Sequence, residues 1–280
     1  MTEVRVVEEE LRFKFMYDGR LALAYNKGFT GWGDFRLSRP NFYPVHTPCG
    51  RQVTISSAYR YNHHRSIFIG HANVNGTNFF HDNNPTRPNL GDIVLEDAQL
   101  EQSDGTVRLR TSNGWIPNSG QRVLSEQRDI TWTPGDRVHV LDVSSTLSPD
   151  SGDVTFAREN HAYLGVRVAD TMDVEDGGKI LNSNGQKNEE GTMGQMADWV
   201  DYSGEVAGRQ VGVTLMGHPD NPPSPYFVRD YGSMLCCFTL DGPFVLKKDE
   251  TLTQRFRVLV HTGGPDEVDI AAYYAAFREA

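Results

Sequence analysis

Apolar and polar residues alternate along much of the chain. Leu11-Arg12-Phe13-Lys14-Phe15 alternates, Asp18-Gly19 turns, and Leu21-Ala22-Leu23-Ala24-Tyr25 returns, which predicts a hairpin. Further strands are predicted at 93–100 and 106–110 about the Asp104-Gly105 turn. Others fall at 127–132 and 137–143 about Thr133-Pro134-Gly135-Asp136, at 153–157 and at 163–168. A strand begins at Trp199, and 211–216 is a core strand ending at Gly217-His218-Pro219. Residues 235–240, 244–246 and 251–261 complete the set. In the last, Phe256, Val258 and Val260 alternate with Arg255, Arg257 and Leu259. Short strands at this spacing, with Gly, Pro and Asp between them, predict an all-β sandwich or barrel. Only the tail reads as helix: Ile270, Tyr273, Tyr274 and Phe277 form a stripe at i, i+3, i+4 and i+7, with Asp266 as the expected cap. Residues 28–40, which include Trp32, the proline-bearing 39–50, 83–91 and the polar 173–194 are read as loops. With no repeat or linker, 1–280 is expected to be one domain.

The stretch from Tyr61 to Asp82 departs from this pattern. It holds His63, His64, His71 and His81, four of the chain's 9 histidines, with Arg65, Asn73 and Asn75. The apolar run 67–69 within it predicts a short buried strand closed by Gly70, and Asn75-Gly76 signals a turn. Imidazoles and amides gathered at strand ends suit acid/base work, metal ligation or hydroxyl recognition. So many in so short a segment favour a site over a cluster of solvated polar residues.

Charge narrows the partners. The net charge is −10 and the pI about 5.4. Phosphate backbones and anionic membranes would be repelled, so neither nucleic acid nor membrane is an expected partner. No run of about 18 apolar residues occurs. The N-terminal residues, reaching Glu8-Glu9-Glu10, lack the basic and apolar regions of a signal peptide. Cys49, Cys236 and Cys237 make no disulfide framework, which fits a reducing compartment. A cytoplasmic location is the expectation, and homo-oligomerisation is left open.

No phosphate-binding glycine loop, H-E-x-x-H or G-x-S-x-G occurs, which argues against nucleotide enzymes, zincins and common serine hydrolases. The polar candidates form three groups. One is His63, His64, Arg65, His71, Asn73 and Asn75. The second is Lys187, Glu189, Glu190, Trp199 and Asp201. The third is His218, Asn221, Arg229, Asp230 and Tyr231. All lie at loops or strand ends and are expected to converge on one concave site. His63 or His64 is expected as catalytic base or acid with Glu190 as counterpart, and Arg65 or Arg229 would steady a developing enolate oxygen. His71, Asn73, Asn75, Asp201, His218 and Asp230 would bind substrate, and Trp199, Trp32 or Tyr226 would stack on a sugar face. No cofactor is expected. A divalent metal remains open, although adjacent His63 and His64 on an extended strand would point apart.

The string Tyr61-Asn62-His63-His64-Arg65-Ser66 through Gly70-His71-Ala72-Asn73-Val74-Asn75-Gly76 resembles the central motif of a bacterial family labelled PmoA-like. Arg39-Pro40 with Thr47-Pro48-Cys49-Gly50, Trp199-Val200-Asp201-Tyr202-Ser203-Gly204, and Val228-Arg229-Asp230-Tyr231-Gly232 resemble its other blocks. Methane oxidation does not follow, because the membrane subunit that lends the label has spans this chain lacks. The resemblance implies an antiparallel β-supersandwich like that of aldose mutarotases, in a setting of sugar catabolism. The function expected is proton-transfer chemistry on a small sugar, keto-sugar or glycoside: lyase, hydratase, glycoside cleavage or epimerisation. A non-catalytic carbohydrate-binding protein and a metal-dependent cupin-like oxygenase are the alternatives.

Overall fold

The computed structural model describes residues 3–30, 36–82, 89–103 and 105–280. Trp32, most of the 83–91 loop and Asp104 lie outside the described residues. In chain order the strands are β1 (Val4–Glu8), β2 (Arg12–Tyr17), β3 (Arg20–Asn26), β4 (Phe29–Thr30), β5 (Arg36–Leu37), β6 (Asn41–Val45), β7 (Ile67–His71), β8 (Gly91–Ser103), β9 (Thr106–Pro117) and β10 (Leu124–Thr133). There follow β11 (Val138–Pro149), β12 (Val154–Phe156), β13 (Ala162–Arg167), β14 (Lys179–Asn182), β15 (Trp199–Val206), β16 (Arg209–Gly217), β17 (Tyr226–Arg229), β18 (Ser233–Cys236), β19 (Phe244–Leu246) and β20 (Leu252–Thr262). Two α-helices, α1 (Asn188–Thr192) and α2 (Ile270–Arg278), join them.

The strands make two eight-stranded sheets, ordered β1-β2-β3-β6-β7-β13-β18-β17 and β14-β15-β16-β20-β11-β10-β9-β8. Two smaller pairs, β12-β19 and β4-β5, stand beside them. Every ladder in both large sheets is antiparallel. This is the all-β sandwich with a C-terminal helix that the alternation predicted. The hairpin about Asp18-Gly19 forms as read, both turn residues taking positive φ. In β10 the even-numbered residues from Leu124 to Trp132 are buried, and their odd-numbered neighbours are at least partly exposed, so the sheet is covered on one face there. By contrast, every residue of β7 and β13 is buried, so both faces of this central pair are covered.

Polar side chains also sit inside. Glu126 on β10 accepts from Arg128 (2.7 and 2.8 Å), from Trp115 Nε1 of β9 (2.9 Å) and from Ser145 Oγ of β11 (2.6 Å). Ser145 meets the Tyr163 hydroxyl of β13 at 2.8 Å, so one hydrogen-bonded network ties the two sheets together.

The outer face of the second sheet is covered by α2. Val138, Met216, Leu259, Val268, Ile270 and Phe277 form a separate apolar cluster there, with Trp199, Tyr273 and Tyr274 at its margin. The cap is Asp269 rather than Asp266: its side chain accepts from Ala272 N at 3.0 Å. Asp269→Ala is expected to cost about 1 kcal/mol in urea unfolding, the usual worth of such a cap, whereas Asp266→Ala should cost less. The loop expected at 173–194 contains β14 and α1, each of five residues or fewer, too short to leave a periodicity. Cys236 and Cys237, read as strand residues on opposite faces, are both buried and unbridged; Cys236 ends β18 and Cys237 lies just beyond it. No helix of the described residues is long and apolar enough to cross a membrane.

Candidate functional site

Four histidines meet beside the central strand pair, and the chain path explains why. His161 directly precedes β13, and its carbonyl accepts from Ala72 N just past β7 (3.0 Å). His81 lies on the chain leaving β7, in a turn where Asn78 Oδ1 accepts from Phe80 N (2.9 Å) and His81 N (3.1 Å). His63 lies in the turn before β7, and its carbonyl accepts from Arg39 Nη2 at 2.6 Å. Arg39 is fully buried, with its guanidinium over Phe68 (4.8 Å) and Phe80 (5.3 Å). Gly70 makes this crossing fit: a Cβ there would come within 2.7 Å of Phe79 O.

The rings are close. Centroid separations are 4.3 Å for His63–His81, 4.5 Å for His63–His64, 5.1 Å for His81–His161 and 5.9 Å for His63–His161, with Phe80 packed against three of them. One nitrogen from each of His63, His81 and His161 lies within 4.8 Å of the others. His63 Nε2, His64 Nδ1 and His161 Nδ1 are buried and have no hydrogen-bond partner. Glu159 Oε2 stands 3.6 Å from His161 Nδ1, beyond hydrogen-bond reach but close enough to orient the ring. Burial, with His161 and Arg39 nearby, pushes His63 down to about 3. Burial, with His63 and Arg167 nearby, holds His64 well below the ordinary histidine value. Both are therefore neutral near pH 7, the form that accepts a proton or ligates a metal.

Beneath the cluster Asp82 anchors the segment after His81. It accepts from Ser38 N (2.9 Å), Ser38 Oγ (2.6 Å) and Arg65 Nε (2.6 Å), with Arg39 Nη1 at 3.4 Å. Burial would raise its carboxyl, but Arg39, Arg65 and the Ser38 hydrogen bonds outweigh burial and keep it low. Toward the surface, the rings of Tyr61, His64 and Tyr231 are mutual neighbours, at 5.2 Å (Tyr61–His64), 4.4 Å (Tyr61–Tyr231) and 6.2 Å (His64–Tyr231), and Arg167 and Arg229 lie over Tyr231 at 5.5 and 5.4 Å. Burial and the neighbouring Tyr61 push Tyr231 up to about 12, so it keeps its proton.

The expected single site is corrected, because the three groups divide. Arg229, Asp230 and Tyr231 join the histidines through the Tyr61–Tyr231 stack. Glu189 joins them too: its Oε1 lies 3.1 Å from Arg229, and it exchanges hydrogen bonds with Asp230 (3.0 and 2.8 Å). Arg229 and Asp230 are thus each engaged with Glu189. Glu190, the expected counterpart of His63 or His64, is exposed on α1. Arg65 is buried against Asp82 rather than open to a ligand. His71 is enclosed, meeting Thr239 Oγ1 (3.0 Å) and accepting from Asn73 N (3.0 Å). Asn73 and Asn75 build the following turn: Asn73 Oδ1 accepts from Gly76 N (3.0 Å), and Asn75 Oδ1 from Thr155 N (2.8 Å).

Of the remaining candidates, Trp199 and Asp201 lie on the second sheet and His218 directly follows its strand β16. Val200 and Tyr202 face the main core, so Trp199 and Asp201 face the other way, toward α2. There Asp201 is buried against His261 Nε2 (2.8 Å) and Thr214 (2.9 Å). His218 accepts from Asp220 N (3.1 Å), meets Arg255 Nη2 (2.9 Å) and lies 5.1 Å from the Phe277 ring. A cleft of about 380 Å3 opens beside it, lined by Asn184, Asp198, Asn221 and Tyr274. Tyr226 is buried, its hydroxyl accepting from Gly217 N (3.0 Å), and stacks on nothing at the surface.

Residues 12–275 match the Family of unknown function DUF6807. The chain belongs to this family. The resemblance to PmoA-like proteins is corrected accordingly: no methane oxygenase family matches. Within the string that carried the resemblance, His71 is enclosed and Asn73 and Asn75 build a turn. No curated protein matches the DUF6807 chain in sequence. Among solved structures it is similar to a galactose mutarotase-like protein from Lactobacillus casei ATCC 334, at 9% identity over 92% of this chain and 100% of that one, TM-score 0.41. It is also similar to a galactose mutarotase related enzyme from Lactobacillus acidophilus, at 8% identity over 94% and 99%, TM-score 0.40. The galactosidase domain of an alpha-galactosidase-sucrose kinase is similar at 10% identity over 92% of this chain and 42% of that one, TM-score 0.47.

Proposed function

We propose that this DUF6807 chain is an enzyme that moves a proton on a small polar, carbohydrate-class substrate at the histidine cluster. The observation that supports it is the set of buried ring nitrogens without partners, His63 Nε2, His64 Nδ1 and His161 Nδ1, gathered in one place. A buried polar atom left unpaired costs about 1–3 kcal/mol, so three together suit a ligand that satisfies them. Neutral His64 is the base in this reading: it would take a proton from a C–H beside a carbonyl or from a hydroxyl, and return it to the same or a neighbouring atom. The half-buried Tyr61 and Tyr231, stacked on each other, would flank a bound sugar ring, and Arg229, paired with Glu189, sets a cation beside them for a developing oxyanion.

The test is a panel of sugars, keto-sugars and glycosides incubated with the protein in D2O and followed by proton NMR. Exchange, isomerisation or cleavage is expected for some member. His64→Ala should then lower turnover by a factor of about a hundred to ten thousand. Glu190→Gln should leave it unchanged. Saturable binding without any turnover would instead identify a carbohydrate-binding module, and full activity in both His63→Ala and His64→Ala would overturn the mechanism.

A further inference from the structure

We propose that His63, His81 and His161 bind one divalent transition-metal ion; this names the cofactor of the site just proposed and rests on that reading for its catalytic use, though not for its binding. Ligand nitrogens at 2.0–2.1 Å from a tetrahedral zinc stand about 3.4 Å apart, so closing the observed 4.8 Å limit needs a shift of less than about 1 Å per ring. Three further observations fit an ion here.

The first is that two of the three rings carry a buried nitrogen with no partner, His63 Nε2 and His161 Nδ1. An apolar cluster or a solvated one would not leave such atoms, whereas an ion between the rings would satisfy them. The second is the support of the rings. His81 Nδ1 is 3.1–3.3 Å from the side chain of Asn78, which is buried and itself fixed by two backbone N–H groups. A side-chain partner on the outer nitrogen of a ligating histidine holds the ring's orientation and raises affinity. Glu159 Oε2, 3.6 Å from the unpartnered His161 Nδ1, adds negative charge on the side where an ion would sit. The third is the donor set. Three imidazoles without a thiolate select zinc, cobalt, nickel, copper or ferrous iron over magnesium or calcium, whose sites are built from oxygen. His63 and His161 are both only partly buried, so ion and solvent reach the cluster from that side.

His63 and His64 are sequence neighbours, yet only His63 joins the three, because the turn aims their rings at 87° to each other. His64 is left beside the ion's ligand with its Nδ1 unpartnered, the position of a base next to the bound group.

The decisive experiment uses tag-free, chelator-stripped protein titrated with Zn2+ by calorimetry and with Co2+ by visible absorption. One equivalent is expected to bind, with the intense absorption of a low-coordinate cobalt site, and to raise Tm. His161→Asn and His81→Asn should weaken binding at least about a hundredfold, beyond the effect of losing an outer partner. His218→Asn, far from the cluster, should leave it intact. If a ligand variant fails to fold, the cobalt spectrum of the wild type still decides, since imidazole-only ligation differs from aqueous cobalt. Absence of saturable one-equivalent binding by the wild type, or unchanged affinity in folded His161→Asn, overturns the proposal. Metal binding without turnover on any sugar leaves the metal site standing and removes the proton-transfer reading. Full turnover by metal-free protein removes the catalytic use of the ion and leaves the proton-transfer reading standing.

Discussion

Glu126→Ala should destabilise the fold by about 3–5 kcal/mol, because it strands the charge of Arg128 between the sheets. Arg128 is 3% exposed and Glu126 fully buried. Burial works to discharge Arg128, and the Glu126 carboxylate outweighs it and holds the proton on. Removing the carboxylate alone also leaves Trp115 Nε1 and Ser145 Oγ without their acceptor. The double variant Glu126→Leu with Arg128→Met removes both charges and should recover much of the loss, since buried ion pairs replaced by apolar groups of similar volume are often neutral or better. The expected coupling between the two positions is about 2–3 kcal/mol. Urea unfolding of Glu126→Leu, Arg128→Met and the double variant measures it. Strict additivity would mean that the pair does not act as one unit.

Acid should unfold the protein well before its exposed carboxylates alone would require. His71 is pushed down to about 3 by burial, with Glu159 opposing and His161 adding, and His139 to about 4 by burial alone. A histidine whose folded value is depressed favours the neutral form. Its contribution is intact above about pH 6.5 and is lost as pH falls below it, until the folded value is reached. Each such group costs about 1.4 kcal/mol per pH unit across that window, so the two together cost on the order of 5 kcal/mol by pH 4.5. That is comparable with the whole stability of many domains. Melting temperatures measured from pH 7.5 to 4.5 should fall steeply, and His139→Gln should flatten the slope. A constant Tm across the interval would show that these rings are not held neutral.

Strand alternation made the fold legible because the antiparallel sheets bury one face of most strands and so leave a period of two. The hairpin at Asp18-Gly19 and the β10–β11 pair follow from it, and the tail helix follows from its own stripe at i, i+3, i+4 and i+7. Alternation carried no information on β14 and α1, whose few residues are set by contacts with Asp201, Val200 and Asp230 rather than by local pattern. The site divided in the same way. His63 and His64 stood out through local density, but density equally promoted His71, Asn73 and Asn75, whose roles are to close a turn. His81 lay in the same stretch without being singled out. His161 gave no local signal: it is a lone histidine after Glu159-Asn160, 80 positions beyond His81 (161 − 81), and only the register His71↔Ala162 brings it in. The predicted strands 67–69 and 163–168 were the one available hint, had their pairing been known.

That register also governs when the cluster can exist. Ile69 pairs with Leu164 across 95 positions (164 − 69), a closure whose entropy must be met before its contacts repay it. A nascent chain that has emerged only as far as β12 carries His63 and His81 but neither the third ring nor the strand that completes β7. Assembly of the imidazoles therefore reports the pairing of β7 with β13, and a cobalt spectrum recorded during refolding would time that step.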